Sequence, residues 1–94
     1  MISAIVLINA EVSRIPEVAA AIAEIDGVSE VYSVTGDVDL IAVVRVRRHE
    51  DFADVIADRF NKVDGVQGTQ THIAFRTYSR HDLEAAFSLG LDDA

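Results

Sequence analysis

Cysteine is absent from this 94-residue chain, proline occurs once, and lysine and arginine number only eight against sixteen aspartates and glutamates. Without cysteine there is no disulfide framework, no thiolate nucleophile and no zinc-finger pattern. The shortage of cations leaves a formal net charge of −8, which repels phosphate backbones and anionic lipid, so neither nucleic acid nor a membrane surface is an expected partner. Long hydrophobic runs are missing too, and no stretch approaches the length that spans a bilayer. The N-terminus MISAIVLINAE has no basic segment and meets Glu11 too early for a signal peptide. The cytoplasm is the expected compartment. What the chain does have is apolar content, 50% of its residues. In a single small domain this predicts apolar surface reserved for a partner, most simply a second copy.

The chain repeats itself. Ile25-Asp26-Gly27-Val28 recurs as Val63-Asp64-Gly65-Val66, an offset of 38 residues that also aligns Val18 with Ile56, Ile22 with Phe60 and Ala4-Ile5-Val6 with Ala42-Val43-Val44. Each half opens on an apolar strand, Ile2 to Ile8 and Val38 to Val46, and apolar residues on both strand faces predict cover on both sides. Ile15, Val18, Ile22 and Ile25 then fall at helical spacing, as do Phe52, Val55, Ile56, Phe60 and Val63. Pro16 suits a first helical turn, Glu50 and Asp51 suit the positive end of a helix dipole, and Gly27 and Gly65 stop their helices. A further strand follows each glycine, the last one running from about Val66 to Tyr78. Two βαβ units predict an α+β, ferredoxin-like βαββαβ fold with a four-stranded antiparallel sheet and both helices on one face. The face without helices then needs another cover, and a sheet-to-sheet dimer is the economical answer. Ser79-x-x-Asp82 fits a capping box for a short C-terminal helix carrying Leu83, Ala86 and Phe87. Residues 1–78 are thus expected to form the ferredoxin-like domain, and residues 79–94 a helix and tail of that same domain.

Chemistry is sparse. His49, His72 and His81 match no metal-ligand spacing, and no nucleophile–base pair or phosphate-cradling glycine loop is present. No metal, cofactor or catalytic residue is expected. Glu17, Glu24, Asp54 and Asp58 read as solvated helix faces. Arg45, Arg47 and Arg48 could hold an anion or brace the acidic surface of a neighbouring subunit, the second being preferred at this net charge. The segment VTGDVDLI, residues 34–41, joins the two halves. Gly36-Asp37 suits a two-residue type II′ turn, but Thr35, Asp37 and Asp39 give the joint more polar groups than a turn needs.

The helix–Asp-Gly-Val–strand unit, the hairpin Val34 to Ile41 and the strand Val66-Gln67-Gly68-Thr69-Gln70-Thr71-His72-Ile73 together resemble the effector-binding, or RAM, domain of the Lrp/AsnC (feast/famine) transcription regulators. The likeness covers roughly residues 1–78. It implies a non-enzymatic module that binds an amino acid or similar small effector, dimerises through its sheet faces and builds octameric or decameric rings. Matching by motif, Gly36, Asp37 and Asp39 fall on the family's effector loop and Thr71 on its last-strand threonine, with Thr35, Thr69 and Gln70 as neighbours. Backbone N–H groups near Gly36 would take a ligand carboxylate and an aspartate its ammonium. Val38 departs from the family, which often has an aromatic between the two aspartates. The family's helix-turn-helix domain has no counterpart in these residues, so a stand-alone domain is expected, with a full-length regulator as a further partner. Two other readings stay open: a small dimeric ferredoxin-like enzyme (an isomerase or cofactor-less monooxygenase) using His72, Tyr32 or Tyr78, and a structural subunit that co-assembles with a full-length regulator.

Overall fold

The computed structural model describes residues 1–78 and Arg80. The C-terminal helix expected beyond them lies, apart from Arg80, outside the described residues. Four strands, β1 (Ile2–Ala10), β2 (Val28–Ser33), β3 (Leu40–Val46) and β4 (Val66–Ile73), form one sheet in the order β2-β3-β1-β4. Every neighbouring pair is antiparallel. Helix α1 (Ile15–Ala23) follows a 3₁₀ turn at Val12–Arg14 and carries Pro16 in its first turn, where a missing N–H costs nothing. This is the expected βαββαβ ferredoxin-like architecture.

The second helix, α2, is irregular. It starts with an α-helical turn at Glu50–Phe52, widens into a π-helical run at Ala53–Arg59 and tightens into a 3₁₀ turn at Phe60–Lys62. Its pattern of apolar residues supplies a reason. Residues five apart on an α-helix point about 140° away from each other, whereas the wider π turn brings them to one side. Val55 and Phe60 are five apart, and both are buried. The Phe60 N–H donates to the Val55 carbonyl, which closes that wide turn.

The alternation of strand residues sets the two sheet faces apart. Ala4, Val6, Ile8 and Ala10 of β1 and Leu40, Ala42, Val44 and Val46 of β3 are buried beneath Val18 and Ile22 of α1 and Phe52, Val55 and Phe60 of α2. No buried polar or charged residue interrupts this core among the described residues. The opposite face carries Ile5 and Leu7, Ile41 and Val43, and Tyr32, in register across the sheet, and no described element covers it. Ile5 is 43% exposed and Tyr32 48%.

The sequence repeat reappears as hydrogen bonds. The Ile25 N–H donates to the Ile22 carbonyl and the Val28 N–H to the Ile25 carbonyl; with the same offset, Val63 donates to Phe60 and Val66 to Val63. The glycines after each helix have φ of 97° and 103°, and their carbonyls accept from the next strand pair, Gly27 from Arg45 at 2.7 Å and Gly65 from Glu11 at 2.8 Å.

Several boundaries differ from expectation. β1 runs on to Ala10 rather than Ile8. Gly27 and Gly65 do not stop their helices: α1 ends at Ala23 and α2 at Lys62, and each glycine instead sits in the turn that leads into the next strand. β4 ends at Ile73 rather than near Tyr78, because it lies at the sheet edge with β1 as its sole partner. The last bond of that ladder is Ala74 N–H to the Ser3 carbonyl, and β1 offers nothing to pair with Arg76 or Tyr78. β3 begins at Leu40 rather than Val38. The joint between the halves is not a two-residue turn: residues 35–38 form a wider loop closed by the Val34 N–H on the Asp39 carbonyl at 3.1 Å, with Gly36 at φ 116°.

Candidate functional site

The hairpin loop stands at the end of the sheet where β1 finishes, and one residue fastens it there. The Asp39 N–H donates to the Ile8 carbonyl at 3.0 Å, and Asp39 Oδ2 accepts from the Ala10 N–H at 2.9 Å. The β1–β3 ladder ends at the Ile8–Leu40 pair, so the Ala10 N–H, two residues further along the same edge of β1, has no strand partner on the hairpin side. Asp39 satisfies that group with its side chain, which accounts for an aspartate at the mouth of an otherwise apolar strand. The aspartate that looked surplus to the turn is therefore a structural tether, and it is half-buried. Its second carboxylate oxygen makes no hydrogen bond among the described residues.

Thr35, Gly36 and Asp37 form the exposed tip of this loop. The Thr35 hydroxyl and the Asp37 carboxylate bond to no other described residue, so both have free hydrogen-bonding capacity. Open space surrounds Gly36, with no heavy atom within 4 Å of the position a Cβ would take. The loop therefore offers one free carboxylate, one hydroxyl and accessible backbone without any rearrangement of the core.

The last strand contributes differently. Thr69 lies opposite Ile8 and Thr71 opposite Val6, on the helix-bearing side of the sheet. Gln70 lies opposite Leu7, on the uncovered side. Ile8 also pairs with Leu40 on its other flank, so β1 separates the threonines from the hairpin. With strands about 4.8 Å apart, that places Thr69 roughly 10 Å from Leu40. The seven expected site residues share one end of the sheet, but within a protomer they form two groups, Thr35, Gly36, Asp37 and Asp39 on one side of β1 and Thr69, Gln70 and Thr71 on the other. Within one chain, β1 stands between the two groups. The part that sequence reasoning missed is the backbone at Ile8 and Ala10, since the point where two distant strands stop pairing leaves no mark in a run of apolar residues.

The histidine and tyrosines considered for enzymatic chemistry lie away from the space between sheet and helices, which the apolar core fills. His72 is exposed and pairs in register with Ile5 on the uncovered face. Tyr78 is 74% exposed. On the uncovered face, the Tyr32 hydroxyl donates to Glu30 Oε2 at 2.6 Å. That bond, with smaller contributions from desolvation and the Glu30 charge, raises Tyr32 above the ordinary 10.0, while Arg45 opposes the shift. Among the described residues no group of three or more His, Cys, Asp or Glu side chains could hold a metal ion, and no helix is long and apolar enough to cross a membrane.

A bare apolar sheet face, a polar hairpin and a threonine-bearing edge strand define a small ferredoxin-like domain. The chain belongs to the Lrp/AsnC family: the model of the Lrp/AsnC ligand binding domain matches residues 3–83. Among solved structures it is similar to TTHA0845 from Thermus thermophilus, with 45% identity and a TM-score of 0.81 over 85% of this chain and 100% of that one. It is also similar to the feast or famine regulatory protein Rv3291c from M. tuberculosis, solved with L-methionine, at 28% identity and a TM-score of 0.70 over 85% of this chain and 54% of that one. The HTH-type transcriptional regulator FL11 of Pyrococcus horikoshii is 31% identical over 75 residues, which is 80% of this chain and 49% of FL11. The chain thus spans about half the length of the curated relatives it matches.

Proposed function

We propose that this chain is a non-enzymatic effector module that binds a free amino acid at the hairpin tip and, in a cytoplasmic setting, adjusts amino-acid-responsive transcription regulation. The observation that carries the reading is the geometry of the seven residues: two half-sites at one end of the sheet, each with unused hydrogen-bonding groups, and β1 between them. A second copy is the simplest source of the side that each half lacks. Asp37 would then accept hydrogen bonds from the ligand ammonium, the loop backbone near Gly36 would donate to its carboxylate, and Thr69 or Thr71 of a neighbour would close the pocket. The relative solved with L-methionine is in keeping with an amino acid as effector.

Assembly follows the same logic. The uncovered face carries Ile5, Leu7, Ile41, Val43 and Tyr32, and burying it against a second copy removes this apolar area from water. Dimers formed this way have their hairpin ends free to meet other dimers, which is the route to an octameric or decameric ring. A full-length regulator with the same domain could join that ring as a partner.

A thermal-shift screen of the proteinogenic amino acids tests the binding. A ligand that binds only the folded chain raises Tm in proportion to its concentration over Kd. At least one amino acid is expected to raise Tm, and Asp37→Asn to remove that rise while leaving the Tm of the free protein within about a degree, as for an exposed substitution. No response to any amino acid from a chain that sediments as an oligomer would reject the reading.

A further inference from the structure

The far end of the sheet holds a feature that the hairpin does not account for. Where β1 starts, α2 begins and β4 runs out, a cleft of about 400 Å³ opens between Ser3, His49, Ile73, Phe75, Arg76 and Thr77. That volume suits a small molecule. Its lining is unusual for this protein. The sequence has sixteen aspartates and glutamates and eight lysines and arginines, yet among the described residues no carboxylate-bearing residue lines the cleft, while Arg76, His49, Ser3 and Thr77 do. Arg76 forms no ion pair with any described residue. Of the acids in the adjoining turn of α2, Asp51 is engaged by Arg48 at 3.4 Å, and Glu50 does not reach the lining. Arg45 and Arg47 stand at the same end of β3 and add to the local positive potential.

We propose that this cleft is a second binding site, selective for a compact oxyanion (a carboxylate or a phosphate ester) carried on a small apolar body. The arginine fork matches either oxyanion with two parallel hydrogen bonds. The hydroxyl of Thr77 supplies a further donor. The apolar half of the ligand is specified by Phe75, which is 99% exposed, and by Ile73 at 42%, two large side chains at the cleft with little cover of their own. A polyanion is a poor occupant, because the remaining charge of the molecule repels it at a distance. A small ligand meets only the local field of Arg76 and His49. The cleft and the hairpin lie at opposite ends of β1, so occupancy here does not depend on an amino acid there.

Titration calorimetry on the full chain, with benzoate and phenyl phosphate as probes, tests this directly. Both carry an aromatic body, and they differ in the oxyanion, so the tighter one identifies the source. At least one is expected to bind saturably at millimolar concentration or below. Arg76→Gln should weaken that binding about tenfold or more, as for loss of a charge-assisted fork, while Arg59→Gln, an equal charge change on exposed α2 surface, should leave it within about twofold. Circular dichroism of Arg76→Gln, an exposed position, confirms that the variant is folded. Absence of saturable binding by either probe overturns the proposal, as does equal weakening by the two substitutions. The amino-acid response at the hairpin is read with different ligands, so failure of one site leaves the other standing.

Discussion

In the first half of the molecule Ile22 sits wholly buried beneath the sheet, Gly27 makes the turn after α1, and Val28 starts a strand; in the second half Phe60, Gly65 and Val66 occupy the same places. The turn hydrogen bonds agree residue for residue. Beyond the glycines the halves part. β2 carries a register irregularity between Val28 and Glu30, together with Glu30 and Tyr32 on the uncovered face. β4 has its own irregularity near its start, at Gln67, but continues as an edge strand through Thr69, Gln70, Thr71 and His72 with no acid in it. Core and turn positions were held to a shared design while the strands that follow diverged, so the scaffold is duplicated and the polar chemistry is not.

The largest effects should fall on the shared positions. Phe60→Ala is expected to cost about 3–5 kcal/mol and Ile22→Ala about 2–5 kcal/mol, since each leaves a cavity under the sheet. Urea unfolding measures both, and a small loss for either one would show that its half contributes little to the core. The two glycines refine the comparison. Alanine at either must take a left-handed backbone at about 1–2 kcal/mol. At Gly65 the new Cβ would also lie 2.8 Å from Val18 Cγ2 and 3.3 Å from Arg14 Nε, whereas at Gly27 the nearest atom, Val55 Cγ2, is 3.4 Å away. Overpacking of that kind adds about 1–3 kcal/mol, so Gly65→Ala should lower stability more than Gly27→Ala. Equal losses would mean that Val18 moves aside without cost.

A middle-sized effect separates hairpin from last strand. Asp39→Ala leaves the Ala10 N–H without its acceptor, at about 1–3 kcal/mol, while Thr71→Val at an exposed edge position should change stability by under about 0.5 kcal/mol. Thr71→Val should instead weaken the amino-acid response. The smallest effect concerns β2. Tyr32 ionises above 10.0 because its hydroxyl donates to Glu30. Its neutral form is the one the fold favours, so this contribution to stability is full below the unfolded-state pKa and fades as pH rises through the folded-state value. Glu30→Gln should bring the ultraviolet titration of Tyr32 back toward 10.0, and an unmoved titration would rule out the bond as the cause.

Much of the architecture was legible because it rests on local chemistry. Left-handed turn glycines before each following strand, apolar periodicity and the 38-residue offset are all written in neighbouring residues. What escaped depends on partners distant in sequence. Whether β4 continues past Ile73 is decided by how far β1 extends beside it. The role of Asp39 follows from where the β1–β3 ladder stops, at Ile8 and Leu40, which leaves the Ala10 N–H, twenty-nine positions away, for its carboxylate. The π-helical course of α2 was hidden because Val55, Ile56 and Phe60 fit an α-helical stripe nearly as well. For the site, residue types pointed to the hairpin and the threonine strand, but only the strand order revealed that β1 divides them. The oxyanion cleft gathers Ser3, His49 and Arg76 from three distant segments, and no sequence window contains them together.

A crystal structure grown in a mixture of amino acids, read at the contact between hairpin ends, tests the central claim most directly. The account predicts an amino acid with its ammonium at Asp37, its carboxylate at the backbone near Gly36, and Thr69 or Thr71 of a neighbouring copy closing the pocket. Empty hairpin ends in an assembled ring, or an amino acid bound elsewhere with Asp37 facing solvent, would contradict it.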